Sequence, residues 1–155
     1  MLTLPKGYLS LAVFLILVYA IGLSGGIFTD TGPWFQNLRK PSFTPPNWVI
    51  PIVWNILYLL IAVSGWLMYT QTDRSKKFFI IYGANLVLNF LWSLIFFGMR
   101  SPGGAFVELV ALWITIVFLI ALAWGRSRAA ACLLIPYLVW VSFAGLLNFF
   151  IAFVA

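Results

Sequence analysis

The chain has 155 residues, of which 64% are hydrophobic and only 8% are charged, and its formal net charge is +6. A soluble globular domain carries roughly 25% charged residues, so this composition excludes a water-soluble fold. Histidine is absent and only three residues are acidic, which argues against His-based triads, His metal sites and paired-carboxylate hydrolysis. No catalytic residue and no metal ligand is expected from these residue types.

Runs of about 20 mostly apolar residues can cross the hydrocarbon core of a bilayer. Five such runs predict five membrane-spanning helices, at 8–28, 49–69, 78–97, 105–124 and 129–153, with a long loop at 29–48. The first run is too long for a usual signal-peptide core and is expected to be retained. We therefore predict a single all-α membrane domain, 1–155, built as a five-helix bundle.

The basic residues are distributed unequally between the two sides of the predicted bundle. One side carries Lys6, Arg74, Lys76, Lys77, Arg126 and Arg128, and the other carries Arg39, Lys40 and Arg100. Cytoplasmic loops are enriched in Lys and Arg, which predicts a cytoplasmic N-terminus and an outward C-terminus. The positive charge suits contact with anionic headgroups, whereas nucleic-acid binding would need a basic face on a water-exposed domain and is not expected.

Small and aromatic residues mark the first two spans. The segment GLSGG places Gly22 and Gly26 four residues apart, which permits close helix approach, either between two copies of the chain or inside one bundle. In the second span Trp54, Tyr58 and Ile61 share one helical face.

The loop before the second span reads RKPSFTPPNWVIPIVWNILY from Arg39 to Tyr58. Proline fixes φ and cannot donate a backbone hydrogen bond, so the prolines at 41, 45 and 46 are expected to stiffen the loop outside the hydrocarbon. Such a rigid loop would hold Phe43 and Trp48 over the mouth of the bundle. We interpret this segment as a stiff lid joined to a pocket wall.

The third and fifth spans carry polar side chains on their aromatic faces. Asn85, Asn89, Trp92 and Phe96 are spaced four, three and four residues apart, and so share a face of the third span. Plain interhelical hydrogen bonding and a ligand site are equally compatible with that spacing. In the fifth span Trp140, Ala144, Leu147 and Asn148 share a face. Glu108 lies in the first turn of the predicted fourth span, where the helix dipole stabilises an anion. We therefore expect a structural role for Glu108 rather than a functional one.

Eight tryptophans occur in the chain. Trp34, Trp48, Trp66 and Trp124 lie near span ends, where indole favours the headgroup region, but Trp54, Trp92, Trp113 and Trp140 lie deeper. Interior indoles with few charges suit a flat, aromatic, largely apolar ligand.

Three long segments resemble the TspO/MBR family, the tryptophan-rich sensory proteins of bacteria whose mitochondrial relative is the translocator protein, or peripheral benzodiazepine receptor. They are WFQNLRKPSFTPPNWVIPIVWNILY, NLVLNFLWSLIFFG and LLIPYLVWVSFAGLLN, and the resemblance covers essentially the whole chain. It implies a five-helix membrane bundle, a homodimer, and an internal pocket for protoporphyrin IX or a related tetrapyrrole, for benzodiazepine-type ligands and, in some members, for cholesterol. It implies no covalently bound cofactor.

The resemblance also implies roles for individual residues. Trp54 and Trp140 match the two pocket tryptophans of the family that are associated with ligand contact and porphyrin photodegradation. The third-span face named above matches the family's, and Ala144, Leu147 and Asn148 match its fifth-span pocket and sterol region. The animal sterol pattern needs a tyrosine followed by a basic residue, but Phe149 occupies the tyrosine position and no basic residue follows. This departure argues against sterol recognition by that motif.

Three functions compete at this point. The first is a tetrapyrrole-binding protein that acts as a sensor, carrier or regulator of porphyrin levels. The second is a light-dependent enzyme that degrades porphyrin with indole as electron donor, which needs no acid–base group. The third is a transporter of tetrapyrroles or lipids, although the spans lack the internal repeat with paired broken helices that many transporters show.

Overall fold

A computed structural model describes residues 6–155, which fold into a bundle of long helices. The elements are α1 (Lys6–Gly26), a short α2 (Pro33–Gln36), α3 (Val49–Tyr69), α4 (Lys76–Ser93), α5 (Pro102–Trp124) and α6 (Arg128–Phe149). Five of these helices, with the segments that extend α4 and α6, are long and apolar enough to cross a membrane. The predicted all-α fold with five spans is therefore confirmed, and the protein is an integral, multi-pass membrane protein.

Three helices begin a few residues before the predicted apolar runs because serine caps precede them. The Oγ atoms of Ser75, Ser101 and Ser127 accept backbone hydrogen bonds from the N–H groups three residues later, at 3.1, 3.3 and 3.2 Å. A serine at this position satisfies one of the otherwise unpaired amides of the first turn. Hydropathy alone places the starts too late, since these first turns include Lys76 and Arg128.

Two helices end in a wider winding than the α-helix. Residues Leu94–Gly98 continue α4 as a π-helical turn, and Phe150–Val154 do the same for α6. A π-turn changes the direction in which the following side chains point. Phe96 and Phe97 consequently face the bundle together, with ring centroids 4.8 Å apart.

The long helices alternate in direction and give the bundle two different ends. One end, which we call the closed end, holds the short connections 70–75 and 125–127, joined by an ion pair of 3.6 Å between Arg126 and Asp73. The other, the loop end, holds the long segment 27–48, the turn 99–101 and the end of α6. Trp66 ties α3 to the start of α1 at the closed end, since its Nε1 donates to the Gly7 carbonyl at 2.9 Å.

Buried apolar side chains fill the closed half of the bundle between the helices. Met68, Phe78, Tyr82, Leu119 and Leu134 are all buried there and belong to one apolar cluster. The Oη of Tyr82 donates to the Ile61 carbonyl at 2.8 Å, which satisfies the one polar group of that ring inside the cluster. The side chains between the helices in this half are therefore almost completely buried.

Two of the three glycines of the GLSGG segment, Gly22 and Gly25, serve packing inside the bundle, whereas Gly26 has open space where a Cβ would lie. A Cβ atom on Gly22 would overlap the ring of Tyr58 on α3, and one on Gly25 would contact Ser93 on α4. Close approach of α1 to both neighbours explains why small residues are needed here. A homodimer remains a prediction that these two glycines do not carry.

Candidate functional site

The loop half of the bundle contains a cavity of about 500 Å³. Its walls come from the ends of α1, α3, α4 and α6 nearest the loop, from the start of α5 and from the segment 27–48. The cavity has the size of a pocket for a drug-sized ligand. It lies directly above the packed closed half.

Aromatic rings form the cavity wall on α3. Trp54 and Tyr58 lie one helical turn apart with ring centroids 5.5 Å apart. The ring of Trp54 also makes an edge-to-face contact with buried Tyr137 on α6, with centroids 6.3 Å apart. Tyr137 does not line the cavity, and so it supports the Trp54 ring from outside the lining. The position of the Trp54 ring is set by neighbours on two helices.

A second aromatic wall belongs to the end of α4. Trp92 and Phe96 stack with centroids 5.0 Å apart and planes 22° apart. The indole Nε1 of Trp92 donates to Oδ1 of Asn148 on α6 at 3.1 Å, while Nδ2 of Asn148 donates to the Pro102 carbonyl at 2.8 Å. Asn148 therefore joins the ends of α4, α5 and α6 at the cavity wall.

Trp140 completes the aromatic lining from α6. Its ring lies 5.6 Å from that of Phe143, and its Nε1 is buried with no acceptor among the described residues. A buried N–H without a partner is unfavourable by about 1–3 kcal/mol. Trp140 is among the residues that line the cavity, but this N–H is covered by neighbouring protein atoms and does not open onto it.

A buried polar cluster lies beside the cavity between α4, α5 and α6. The Oη of Tyr137 accepts from Nδ2 of Asn89 at 3.0 Å and donates to Oδ1 of Asn85 at 3.2 Å. The other amide atom of Asn85, Nδ2, donates to Oγ1 of Thr115 at 2.9 Å. Both the oxygen and the nitrogen of the Asn85 side-chain amide therefore form hydrogen bonds that join helices.

The segment 27–48 supplies a charged residue and several neutral polar residues to the lining. The lining residues from this segment are Thr29, Thr31, Phe35, Lys40, Thr44, Pro45 and Asn47. Lys40 is half-buried, and its Nζ donates to the Phe35 carbonyl at 2.6 Å and lies 4.1 Å from the centre of the Phe35 ring. The loop is thus part of the wall of the cavity.

The predicted site residues divide into those that line the cavity and those that do not. The lining ones are Gly22, Trp54, Tyr58, Asn89, Trp92, Phe96, Trp140, Ala144, Leu147 and Asn148. Phe43 is 46% exposed and packs near Phe143 and Phe150, Trp48 is 69% exposed, and Asn85 is fully buried in the polar cluster. The loop therefore closes the cavity with Thr44 and Pro45, while Phe43 and Trp48 lie outside the lining.

A comparison with known protein families gives a match over nearly the whole chain. The sequence profile described as the TspO/MBR family matches residues 13–154. The chain belongs to the TspO/MBR family.

Named relatives of this TspO/MBR protein come from all three domains of life. The tryptophan-rich protein TspO of Chlorobaculum tepidum is 40% identical over 154 residues, covering 93% of this chain and 94% of its own. The tryptophan-rich protein TspO of Archaeoglobus fulgidus is 38% identical, covering 91% and 94%. The translocator protein of Ovis aries is 36% identical over 121 residues, covering 75% and 71%.

Two deeper residues of this TspO/MBR protein lie away from the cavity. Trp113 was expected among the interior indoles, but it is 38% exposed on the outer surface, where its Nε1 donates to Oγ of Ser142 at 2.8 Å. Glu108 does not line the cavity, and its two carboxylate oxygens are buried without a hydrogen-bond partner among the described residues. Hydropathy gives the depth of a residue in the span but not the side of the helix that meets lipid.

Sequence reasoning missed two kinds of site residue. Tyr137 was not singled out, although it lies three residues before Trp140 on the same helix and joins the two asparagines of α4. Lys40 was assigned only to membrane topology, although it is the single charged residue among those lining the cavity. Its position beside the prolines of the loop was the available signal, because a stiffened loop holds its side chains in fixed places.

Proposed function

We propose that this protein binds a flat tetrapyrrole such as protoporphyrin IX in the loop-end cavity and acts as a sensor, carrier or regulator of porphyrin levels. The observation that carries the proposal is that three indoles, those of Trp54, Trp92 and Trp140, line one cavity of about 500 Å³. Aromatic side chains bind flat ring systems through stacked and edge contacts. Few other ligand shapes would use all three rings together.

The polar atoms of the cavity suit the centre and rim of a tetrapyrrole. Asn89 uses Nδ2 towards Tyr137, which leaves its amide oxygen able to accept a hydrogen bond from a pyrrole N–H. Lys40 and three threonines place further polar groups in the lining at the loop end. A few convergent polar groups in an apolar pocket fix the orientation of a ligand. These donors and acceptors favour a heteroaromatic ligand over a hydrocarbon such as a lipid tail.

The names of relatives support a sensory or carrying role. The relative from Cereibacter sphaeroides, 33% identical over 143 residues, is named a tryptophan-rich sensory protein, and that from Ovis aries a translocator protein. Both roles require a ligand site in a membrane protein. The cavity described above offers such a site in this chain.

The binding proposal is tested with purified protein in an uncharged detergent. Protoporphyrin IX should quench tryptophan fluorescence in a saturable way, and the double variant Trp54→Phe with Trp140→Phe should weaken binding about 10-fold or more, since aromatic pairs contribute about 0.5–1.5 kcal/mol each beyond area burial. Trp113→Phe is the matched control, because that indole faces outward. Unchanged affinity in the double variant would move the site elsewhere.

Porphyrin degradation under light is a second candidate for the same cavity. The observation that favours it is the presence of several indoles, each a possible electron donor to a photoexcited macrocycle, around one space. Opening of the macrocycle to a bilin is an oxidation, for which dissolved O2 would be the oxidant and the source of oxygen atoms. Illumination of the aerated complex should then produce a bilin-like absorption band that protein-free porphyrin does not give. A spectrum identical to the protein-free control leaves binding alone.

We further propose that the N-terminus lies in the cytoplasm and the loop end faces outward. The support is the excess of Lys and Arg at the closed end, where Arg74, Lys76, Lys77, Arg126 and Arg128 lie. A reporter that is active only outside the cytoplasm, fused after Ala155, should be active. Activity only for a fusion in the 70–75 connection would reverse the orientation.

A further inference from the structure

One charged side chain lines the cavity, and it lies in the loop segment rather than on the aromatic walls formed by the long helices. Among the lining residues Lys40 alone is charged, and it belongs to the segment 27–48 together with lining threonines. The lining from the long helices is mostly aromatic and aliphatic, with neutral polar residues such as Asn89 and Asn148 and no charged one. A ligand that fills both parts must have a flat apolar body and a polar end.

The charge of Lys40 is not neutralised by the part of the chain that the structure describes. Among the side chains of residues 7–155 the only ion pair joins Arg126 and Asp73 at the closed end, and neither Asp30 nor Glu108 lines the cavity. The Lys40 ammonium has three N–H donors, of which one is used by the Phe35 carbonyl at 2.6 Å. Two donors and a full positive charge are therefore available to a ligand.

The Phe35 contacts also hold the ammonium in place. The carbonyl bond and the ring, whose centre is 4.1 Å from Nζ, act on the same side-chain end. Phe35 itself is buried against the end of α4, with its ring 5.5 Å from that of Phe97. An ammonium anchored in this way loses little further freedom when an anion binds.

We propose that Lys40 selects ligands that carry a carboxylate, by forming a charge-assisted hydrogen bond with it at the rim of the cavity. The inference rests on the proposed tetrapyrrole function and adds to it a specificity-determining residue. Uncharged ligands of the same shape would leave the ammonium without an anionic partner at the edge of an apolar space. The protein should accordingly prefer porphyrin acids to their neutral esters.

The test compares two ligands and two proteins. Protoporphyrin IX and its dimethyl ester share one macrocycle and differ in their carboxylates, and Lys40→Met keeps most of the side-chain length without the charge. In uncharged detergent, Lys40→Met is expected to weaken binding of the acid about 10- to 100-fold, and to leave the affinity for the ester within about twofold. Retained ester binding also reports that the variant is folded.

Two further variants separate contact from general charge. Arg39→Met removes the same charge from the adjacent residue, which is exposed and does not line the cavity, and it should leave acid binding unchanged at moderate salt. Lys40→Arg should retain most of the preference for the acid, because a guanidinium also binds carboxylates.

The outcomes distinguish this inference from the proposed function. If the unmodified protein binds both ligands and Lys40→Met weakens both equally, or neither, Lys40 does not select carboxylates although the porphyrin site stands. If the unmodified protein binds neither ligand, the proposed function fails and the inference fails with it.

Discussion

The side chain of Asn148 accepts a hydrogen bond of 3.1 Å from Nε1 of Trp92, and so fixes an indole of α4 to the opposite wall of the cavity on α6. The same amide donates to the Pro102 carbonyl at the start of α5. Asn148 is 1% exposed, so no water replaces either partner readily. One amide group thus holds three helix ends in register around the site.

Replacing Asn148 with leucine should destabilise the bundle. The change leaves the Trp92 N–H and the Pro102 carbonyl without their partners, and interhelical hydrogen bonds in membranes contribute about 0.6–1.7 kcal/mol each. We expect the unfolding free energy in detergent to fall by about 1–3 kcal/mol, measured by denaturant titration with circular dichroism. Asn55→Leu is the control, because the exposed side chain of Asn55 bonds only within α3, to the Pro51 carbonyl, and its interhelical bond with Tyr19 uses the backbone carbonyl, which the substitution keeps. An equal loss there would contradict the assignment.

Tyr137→Phe tests the buried polar cluster. Removal of the hydroxyl takes the acceptor from Asn89 and the donor from Asn85, and each unsatisfied buried group is unfavourable by about 1–3 kcal/mol. The thermal midpoint should fall clearly, and tetrapyrrole affinity should fall as well because Asn89, which lines the cavity, loses the partner that orients its amide. Tyr8→Phe, at an exposed position of α1, should change neither quantity. A midpoint equal to that of the unmodified protein would show that the cluster re-pairs without its hydroxyl.

Gly22→Ala tests the close approach of α1 to the cavity wall. A Cβ at this position overlaps the Tyr58 ring, so the ring must move, and both residues line the cavity. We expect the affinity for protoporphyrin IX, measured by tryptophan quenching, to fall about 3- to 10-fold, because roughly 1 kcal/mol of aromatic contact is lost. Gly26→Ala is a matched control, since Gly26 also lines the cavity but has open space where the Cβ would lie. Equal effects of the two substitutions would exclude the Tyr58 contact as the cause.

Replacing both Pro45 and Pro46 with glycine tests the stiffness of the loop. Each proline limits the conformations of the ligand-free loop, and such substitutions change free energies by about 0.4–1 kcal/mol. Binding of protoporphyrin IX should weaken about 3- to 10-fold, while the helical circular dichroism signal of the five spans stays the same. Ser42→Gly adds flexibility at an exposed position of the same loop outside the lining, and should have little effect. Unchanged affinity in the double variant would make the loop a simple connector.

The spans were predictable because a membrane helix must be long and apolar, which hydropathy measures directly. The orientation of each helix was predictable only in part. Asn85 and Asn89 share a face by spacing, yet Asn85 lies behind the wall and Asn89 lines the cavity, because Tyr137 and Thr115 from other helices take up the amide of Asn85. A single helix does not contain that information.

The loop shows the same limit from another side. Proline content predicts stiffness, but which of the neighbouring residues turn inwards depends on contacts made far away in sequence. Phe43 turns towards Phe143 and Phe150 on α6, which leaves Thr44 and Pro45 for the cavity. Trp113 and Trp140 make the matching case within the spans, since both lie at mid-depth but only one faces inwards.

The closed half of the bundle is filled by buried side chains, whereas the loop half contains the cavity. Between the cavity and the closed end lie side chains such as Tyr82 and Phe78, which do not line the cavity and are almost completely buried. Passage through the bundle to the opposite leaflet would require those rings to leave a close-packed core. Any route from the cavity to the closed end would therefore need a different packing of α4 against its neighbours from the one described.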